Sequence, residues 1–244
     1  GASIKEAQGF VTQERVRERF RVGEMSIVEY KDELGRPLLQ MERYYTDAVD
    51  ERHFVTHEVF VNERTGLIDA RHPRGREILN TFVASTKTPN RGGVWVNLEN
   101  LGILNYGAGG TANGDRALAA TSDAIKRVIR DDNLPIKWQG SEFFIGVENV
   151  APSELTRVTE RVQKALEKDP TIKKIYDQYT RTLEVELNNA RLKNDKKRID
   201  EIEANLRKIQ TARTTPFTVY GTPIRPGDTL DSVLSRTRGQ RYDD

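Results

Sequence analysis

The sequence predicts an α/β (α+β) fold in which helices flank a central, mostly antiparallel sheet. Two short apolar strands, at 136–138 and 143–147, meet around a tight turn at 139–142. Glycine at a central turn position between such strands is typical of a β-hairpin. An amphipathic helix at 115–130 precedes the hairpin and a second helix at 153–168 follows it. Helix, hairpin and helix together complete one α/β layer.

The composition limits the possible functions. Of the 244 residues, 36% are hydrophobic and 31% charged, which is enough apolar material for a buried core. The 39 basic and 37 acidic residues leave a net charge of only +2, which argues against a nucleic-acid partner. Cysteine is absent, which excludes disulfides and thiolate sites. No apolar run approaches the roughly 20 residues of a membrane helix. We therefore expect a cytoplasmic segment without membrane contact, either alone or as part of a larger protein continuing upstream of Gly1.

Residues 1–61 predict an N-terminal extension made of a helix and a small β-meander. Residues 4–21 are rich in charge and compatible with a helix. Residues 25–30, 38–46 and 54–61 alternate as strands do, with a turn at 32–37.

We expect residues 62–244 to form the main domain. We expect a helix at 75–84, a buried strand at 93–98, the beginning of a helix at 101–106 and a further core strand at 217–220. The glycine-rich stretch 107–114 is either a phosphate cradle or a flexible connection, and the lack of a following GK[ST] motif favours the connection.

Residues 169–211 predict an inserted antiparallel helical hairpin. Asp169-Pro170 is typical of a helix start, and apolar residues then recur at helical spacing on both sides of the basic segment 193–197. One continuous helix would extend about 60 Å and carry the chain away from its sheet. We therefore expect a turn near 193–195 and an arm projecting about 30 Å. Its narrow apolar stripe predicts an exposed apolar edge, so the arm is either a passive stalk or a contact for a protein partner or a second copy.

The interpretation becomes more specific with one run of residues, Arg130-x-x-Asn133-Leu134-x-x-Lys137-Trp138-Gln139-Gly140-Ser141-Glu142-Phe143. It resembles R-x-x-D-L-x-x-R-Y-G-G-D-E-F, the signature of GGDEF domains, the diguanylate cyclases. Residues 64–71 resemble the family's L-T-G-L-x-N-R-R, residues 94–105 and 114–118 its D-x-D-x-F-K-x-x-N and G-D-x-x-L, and residues 229–234 its S-L-x-x-L-L. The resemblance covers about 62–166 and 215–244. It implies a GGDEF or nucleotidyl-cyclase-like palm in bacterial cyclic di-GMP signalling.

The resemblance also implies a reaction for which this sequence lacks most of the required charged residues. Such a cyclase joins two GTP molecules when a 3′-hydroxyl attacks an α-phosphorus, and carboxylate-held Mg²⁺ lowers the pKa of that hydroxyl. The family's three carboxylate positions are here Asn97, Ser141 and Glu142, and its triphosphate-binding lysine is Gly102. With one carboxylate of three, we expect a degenerate domain with no catalytic residue and no cofactor. It would act as a regulatory or protein-interaction module.

Two alternatives remain open. Glu99 and Glu142 are candidate ligands for an atypical, active cyclase, which would need Mg²⁺. Asn105 and Asp115 stand at the family's guanine-recognising positions, and Arg130 at the arginine of its inhibitory R-x-x-D motif for cyclic di-GMP. These three residues would make the domain a receptor for GTP or cyclic di-GMP, because an amide and a carboxylate can together bind a guanine edge. Otherwise Asn105 and Asp115 cap helix ends, and Arg130 is a surface arginine.

Overall fold

The structure, a computed structural model, describes residues 14–22, 25–35, 37–46, 51–56, 61–85, 90–105, 111–214 and 216–242. The strands in these ranges are β1 (Glu14–Val22), β2 (Met25–Lys31), β3 (Pro37–Thr46), β4 (Glu51–Thr56), β5 (Ile68–Asp69), β6 (Arg91–Leu98), β7 (Leu134–Lys137), β8 (Glu142–Glu148) and β9 (Phe217–Ile224). The helices are α1 (Pro73–Ala84), α2 (Ala112–Val128), α3 (Pro152–Glu167), α4 (Pro170–Leu192), α5 (Lys196–Thr214) and α6 (Leu230–Tyr242), with a 3₁₀ helix at Leu101–Asn105.

The predicted fold class is confirmed by a five-stranded sheet with the order β5-β7-β8-β6-β9. Its strand pairs are antiparallel except β5 with β7. Strand β6 lies between β8 and β9, and all eight of its residues are buried. A strand buried on both faces needs a covering layer on each side of the sheet, and the rest of the chain supplies these two layers.

The two faces of β6 belong to two different cores. Val94 and Val96 pack with the buried faces of α2, α3, α4 and α5. Trp95, which points to the opposite face of the strand, packs with α1 and α6. Buried Trp138 lies edge-on to Trp95, with the ring centroids 5.8 Å apart.

The predicted meander is present, but it has one more strand than expected. Strands β1 to β4 form an antiparallel sheet in that order. The helix predicted for 4–21 is wrong over 14–21, which belongs to β1 (Glu14–Val22), and the earlier residues lie outside the described ranges. The correction has a plain basis in the sequence, because arginine recurs at every second position from Arg15 to Arg21 and apolar Val16, Phe20 and Val22 occupy the alternate positions.

The meander is attached to the main domain through a shared core. Met25, Ile27 and Met41 are buried in one cluster with Ile68 and residues of α1. Arg17 of β1 also forms an ion pair with Asp131, which lies between α2 and β7, at 2.9 Å. The extension therefore covers one end of the five-stranded sheet.

The helical hairpin is confirmed, including its turn. Helices α4 and α5 pack against each other, and the chain reverses at 193–195, where Asn194 has a φ of 51°. The Asp169 side chain accepts a hydrogen bond from the Ile172 backbone N–H at 3.0 Å, as a helix cap does. Within the described ranges, no helix combines the length and the apolar character needed to cross a membrane.

The predicted apolar edge of the hairpin is largely absent. The stripe of α4, including Ile175, Tyr179 and Leu183, is buried in the core that also contains α2. Helix α4 packs against α2, and α5 contacts the 3₁₀ helix. The hairpin therefore lies along the domain for part of its length, and only Val185 (60% exposed) and Leu192 (84%) are large exposed apolar residues on it.

The start of α6 provides a test of the fold. Asp228 accepts hydrogen bonds from both terminal nitrogens of Arg236 at 2.7 and 2.6 Å, and from the Arg225 backbone N–H at 2.7 Å. The Arg236 side chain holds the pKa of Asp228 well below its usual range. Replacing Asp228 with Asn should lower the free energy of unfolding by about 1–3 kcal/mol at pH 7, because charge-assisted bonds are lost.

Urea unfolding at pH 7 and pH 3 measures this effect. A carboxylate with a depressed folded-state pKa contributes stability above its unfolded pKa of about 3.9 and loses it as the pH falls. The difference between the wild type and Asp228→Asn should therefore shrink at pH 3. The matched control is Asp231→Asn, an exposed residue of the same helix, and an equal loss in both variants would contradict this assignment.

Candidate functional site

The candidate site lies at the end of β6, where two turns meet. The Trp138 backbone N–H donates to the Glu142 carbonyl at 2.9 Å, and Gly140 has a φ of 55°, which closes the β7–β8 turn. In the sheet register, Asn97 of β6 pairs with Glu142 on one side and with Thr218 of β9 on the other. The central position of β6 thus brings the predicted residues Asn97, Ser141 and Glu142 together.

A chain of side-chain hydrogen bonds links Ser141, Asn97, Glu99 and Thr218. The Ser141 hydroxyl donates to Asn97 Oδ1 at 2.7 Å. Asn97 Nδ2 donates to Glu99 Oε1 at 2.9 Å, and the Thr218 hydroxyl donates to the same oxygen at 2.7 Å. Asn97 itself is buried. The amide therefore has a partner for its oxygen and for its nitrogen, as a buried polar group requires.

This arrangement offers little to a hard divalent cation. Mg²⁺ prefers carboxylate oxygens in octahedral geometry. Of the two negative charges at this end of β6, Glu99 already accepts two hydrogen bonds through one oxygen, and Glu142 is partly buried on the neighbouring strand. In the part of the chain that the structure describes, no group of three or more His, Asp or Glu side chains is arranged to hold a metal ion.

Lys137 is a member of the site to which the sequence alone assigned no role. It is 4% exposed, and its Nζ donates to the Gly140 carbonyl at 2.6 Å. Burial lowers the pKa of Lys137 to about 8, with a further contribution from the positive charge of Arg71. Lys137 ends the first strand of the β7–β8 hairpin, and the sequence has no periodicity there that would reveal its burial, so only the packing identifies it.

A cleft of about 270 Å³ opens beside this turn. Its wall contains Asn105 and Asp115, the two predicted guanine-recognising residues, together with Arg64, Arg71 and Lys137. The first two are brought together because the 3₁₀ helix ends at Asn105 and α2 begins seven residues later. The cleft therefore combines an amide and a carboxylate with three basic side chains.

Gly114 allows this close approach. A Cβ at Gly114 would lie 2.4 Å from Asn105 Oδ1, so a larger residue would displace the amide. Gly114 and Asp115 lie in the first turns of α2, whose N-cap is Thr111. The alternative that Asp115 caps a helix is therefore wrong, and 112–114 of the predicted glycine loop are helical; residues 106–110 lie outside the described ranges.

Arg130 lies apart from the cleft. It forms a bidentate ion pair with Asp132, at 3.1 and 2.8 Å. It lines a different cavity, of about 300 Å³, between the meander and the main sheet. The structure thus unites Asn105 with Asp115 and separates both from Arg130.

Comparison with known protein families gives one match, over part of this chain. Residues 94–214 match the model of the diguanylate cyclase GGDEF domain. The match runs through 169–211, so the interpretation of that segment as an insertion stays a prediction. The matched range does not include 62–93 and 215–244, where the sequence also resembles the GGDEF family. No curated protein matches the sequence.

Several solved structures resemble the chain. The diguanylate cyclase SiaD from Pseudomonas aeruginosa, in complex with its activator SiaC, is 16% identical, with a TM-score of 0.49 over 76% of this chain and 57% of that one. The coiled coil and GGDEF domain of DgcB from Caulobacter crescentus, in complex with c-di-GMP, is 12% identical, with a TM-score of 0.49 over 75% and 78%. The LapD S helix-GGDEF-EAL structure from Vibrio cholerae is 14% identical, with a TM-score of 0.46 over 74% and 33%. This chain thus spans just over half of SiaD and a third of LapD.

The buried amine of Lys137 leads to a prediction about stability. Its folded-state pKa of about 8 lies below its ordinary value of 10.5. Between these values the unfolded chain binds more protons than the folded one, so the free energy of unfolding should rise with pH from 8 to 10.5. Urea unfolding of Lys137→Met should show a variant that is more stable than the wild type at pH 7, with an advantage that shrinks toward pH 10.

The matched control is Lys126→Met, because the Lys126 side chain is exposed. Its pH dependence should follow that of the wild type. If the wild type and Lys137→Met show parallel pH profiles, Lys137 does not titrate in this range and its amine is better hydrated than the packing indicates.

Proposed function

Because residues 94–214 match the model of the diguanylate cyclase GGDEF domain, we propose that this chain is a catalytically inactive member of that family, a regulatory or protein-interaction module in cyclic di-GMP-related signalling. The proposed setting is the bacterial cytoplasm. The observation that carries the proposal is the hydrogen bond from Ser141 to Asn97 at 2.7 Å. It joins two neutral side chains at positions where a catalytic Mg²⁺ would require carboxylates.

The loss of charge matters because of what the reaction demands. An attacking 3′-hydroxyl must lose its proton, and the phosphorus centre gains negative charge; a metal ion supports both changes. A neutral amide and a hydroxyl donate oxygen lone pairs without compensating the ion's charge. Here each is also engaged with the other, so Mg²⁺ binding would first have to break this network.

An atypical active cyclase built on Glu99 and Glu142 has less support. Glu99 Oε1 accepts hydrogen bonds from both Asn97 and Thr218. These two hydrogen bonds hold Glu99 Oε1 within the network, so this oxygen is already engaged. We therefore rank this function below the inactive module.

A guanine-nucleotide receptor is the second candidate function, and the cleft favours it. Asn105 and Asp115 line the same 270 Å³ space, and Arg71 and Lys137 supply positive charge for phosphates. A cleft of this size holds part of a nucleotide, with the remainder toward solvent. Arg130, which is remote from the cleft and paired with Asp132, does not contribute to this proposal.

Incubation with GTP and Mg²⁺ tests the proposed inactivity. We expect no cyclic di-GMP by chromatography, and any product from the unmodified chain would overturn the proposal. Calorimetry with GTP, GDP and cyclic di-GMP then separates the candidates, since binding without turnover supports the receptor and no binding supports the interaction module.

A double variant tests the stated cause. Asn97→Asp with Ser141→Asp restores two carboxylates beside Glu142, and Mg²⁺ affinity measured by calorimetry should rise at least about tenfold. The control is Asn100→Asp with Gln139→Asp, which adds the same charge at exposed positions near the site. An equal rise in both variants would show general electrostatic attraction and not a metal site.

We further propose that the hairpin 169–211 contacts a second copy or another protein. Its buried stripe leaves Val185 and Leu192 exposed, and these lie seven residues apart on one face of α4. Val185 also lines an open groove of about 550 Å³ between α2 and α4. This face supports a contact surface that is smaller than the sequence suggested.

Light scattering tests the self-association. Val185→Glu with Leu192→Glu should reduce the average mass to that of the 27.8 kDa monomer. Asn188→Glu with Asn189→Glu, at exposed polar positions of the same helix, is the control and should leave the mass unchanged. A wild-type chain that is monomeric at all concentrations would exclude the second copy. Leu183 is unsuitable for this test because it lies in the core.

A further inference from the structure

The carboxylate of the cleft already has an internal partner. Arg64 Nη1 lies 2.9 Å from Asp115 Oδ1. Asp115 is the one acidic side chain that lines this cleft in the described ranges. Whatever enters the cleft therefore meets a carboxylate that is paired with arginine and not a free one.

Arg64 is held in place by a well-bonded turn. Asn62 Oδ1 accepts the backbone N–H groups of Arg64 and Thr65 at 3.1 and 3.0 Å. The Thr65 carbonyl accepts a 2.7 Å hydrogen bond from the Ser122 hydroxyl of α2. This tie fixes the turn to the same helix that carries Asp115. The fold therefore fixes the backbone of Arg64 near Asp115, and the Arg64 side chain, which is 64% exposed, reaches the carboxylate from there.

The Arg64 guanidinium offers Asp115 the same kind of hydrogen-bond donors that a bound guanine would offer. A guanidinium presents neighbouring N–H groups in one plane, which match the two oxygens of a carboxylate. The N1–H and N2–H₂ groups along one edge of guanine present the same donors, whereas adenine lacks them. We propose that Arg64 is an internal competitor of guanine for Asp115, so that a guanine nucleotide enters the cleft only when this ion pair opens. The proposal rests on the receptor function and adds a residue that controls it.

The expected effect is small but measurable. A solvent-exposed ion pair shifts an equilibrium by up to about fivefold. Removing Arg64 should therefore tighten binding of a guanine nucleotide by about two- to fivefold. If Arg64 instead bound phosphate, its removal would weaken binding, so the sign of the change separates the two roles.

The experiment uses the full chain and GDP, measured by calorimetry without Mg²⁺. Arg64→Leu should bind GDP about two- to fivefold more tightly than the wild type. Arg71→Leu is the matched control, since Arg71 lines the same cleft, is 66% exposed and pairs with Asp69. It removes the same charge without freeing Asp115, and we expect GDP binding to weaken or stay unchanged.

Two further measurements test the mechanism. The gain in Arg64→Leu should be largest for GDP, smaller for inosine diphosphate, which lacks the 2-amino group, and absent for ADP. In an Asp115→Asn background, Arg64→Leu should give no gain, because the competition requires the carboxylate. Urea midpoints of all variants verify that they fold alike.

An equal gain for ADP, or weaker GDP binding in Arg64→Leu, would overturn the inference. If neither the wild type nor Arg64→Leu binds GDP at millimolar concentration, both the inference and the receptor function fail. The proposed lack of cyclase activity would stand in that case, because it is tested separately by product formation.

Discussion

The pairing of β6 between β8 and β9 is the constraint on which the rest of the structure depends. It buries every residue of β6, divides the hydrophobic residues between two cores and sets Asn97 opposite Glu142 and Thr218. Helices α2 to α5 can pack on one face only because Val94 and Val96 point there. The candidate site is thus a consequence of strand register, since a shift of one residue would turn Asn97 toward the other face.

At this edge of the sheet, the neutral side chains of Asn97 and Ser141 are joined by a hydrogen bond. Ser141, Asn97, Glu99 and Thr218 satisfy one another in a partly buried setting, where an unpaired polar group would be costly. The network therefore both stabilises the turn and occupies the oxygens that a metal ion would need. On the other side of the turn, the cleft contains Asn105 and Asp115, the two residues that we propose for base recognition, and the Asp115 carboxylate is paired with Arg64. The two halves of the site therefore differ in the polar groups that they present to a ligand.

The sequence was informative where its pattern was local. The β7–β8 hairpin, α1, α2, α3 and the turn of the helical hairpin near Asn194 follow from periodicity, glycine and capping residues, and all are present. The first strand was missed because a run rich in arginine and glutamate is also compatible with a helix; its arginines alternate as in a strand, and pairing with β2 shows that it is extended. The apolar edge of α4 was overestimated because the sequence does not show that α2 covers it.

The sequence by itself determined the α/β class, the helical hairpin and the neutral residues at Asn97 and Ser141, because composition and spacing are properties of the chain alone. The tertiary structure decided which groups meet. It joined Arg64 to Asp115, residues 51 positions apart in the sequence numbering, buried Lys137 and separated Arg130 from the cleft. Contacts between distant segments depend on how elements pack, and neither periodicity nor propensity encodes that packing locally.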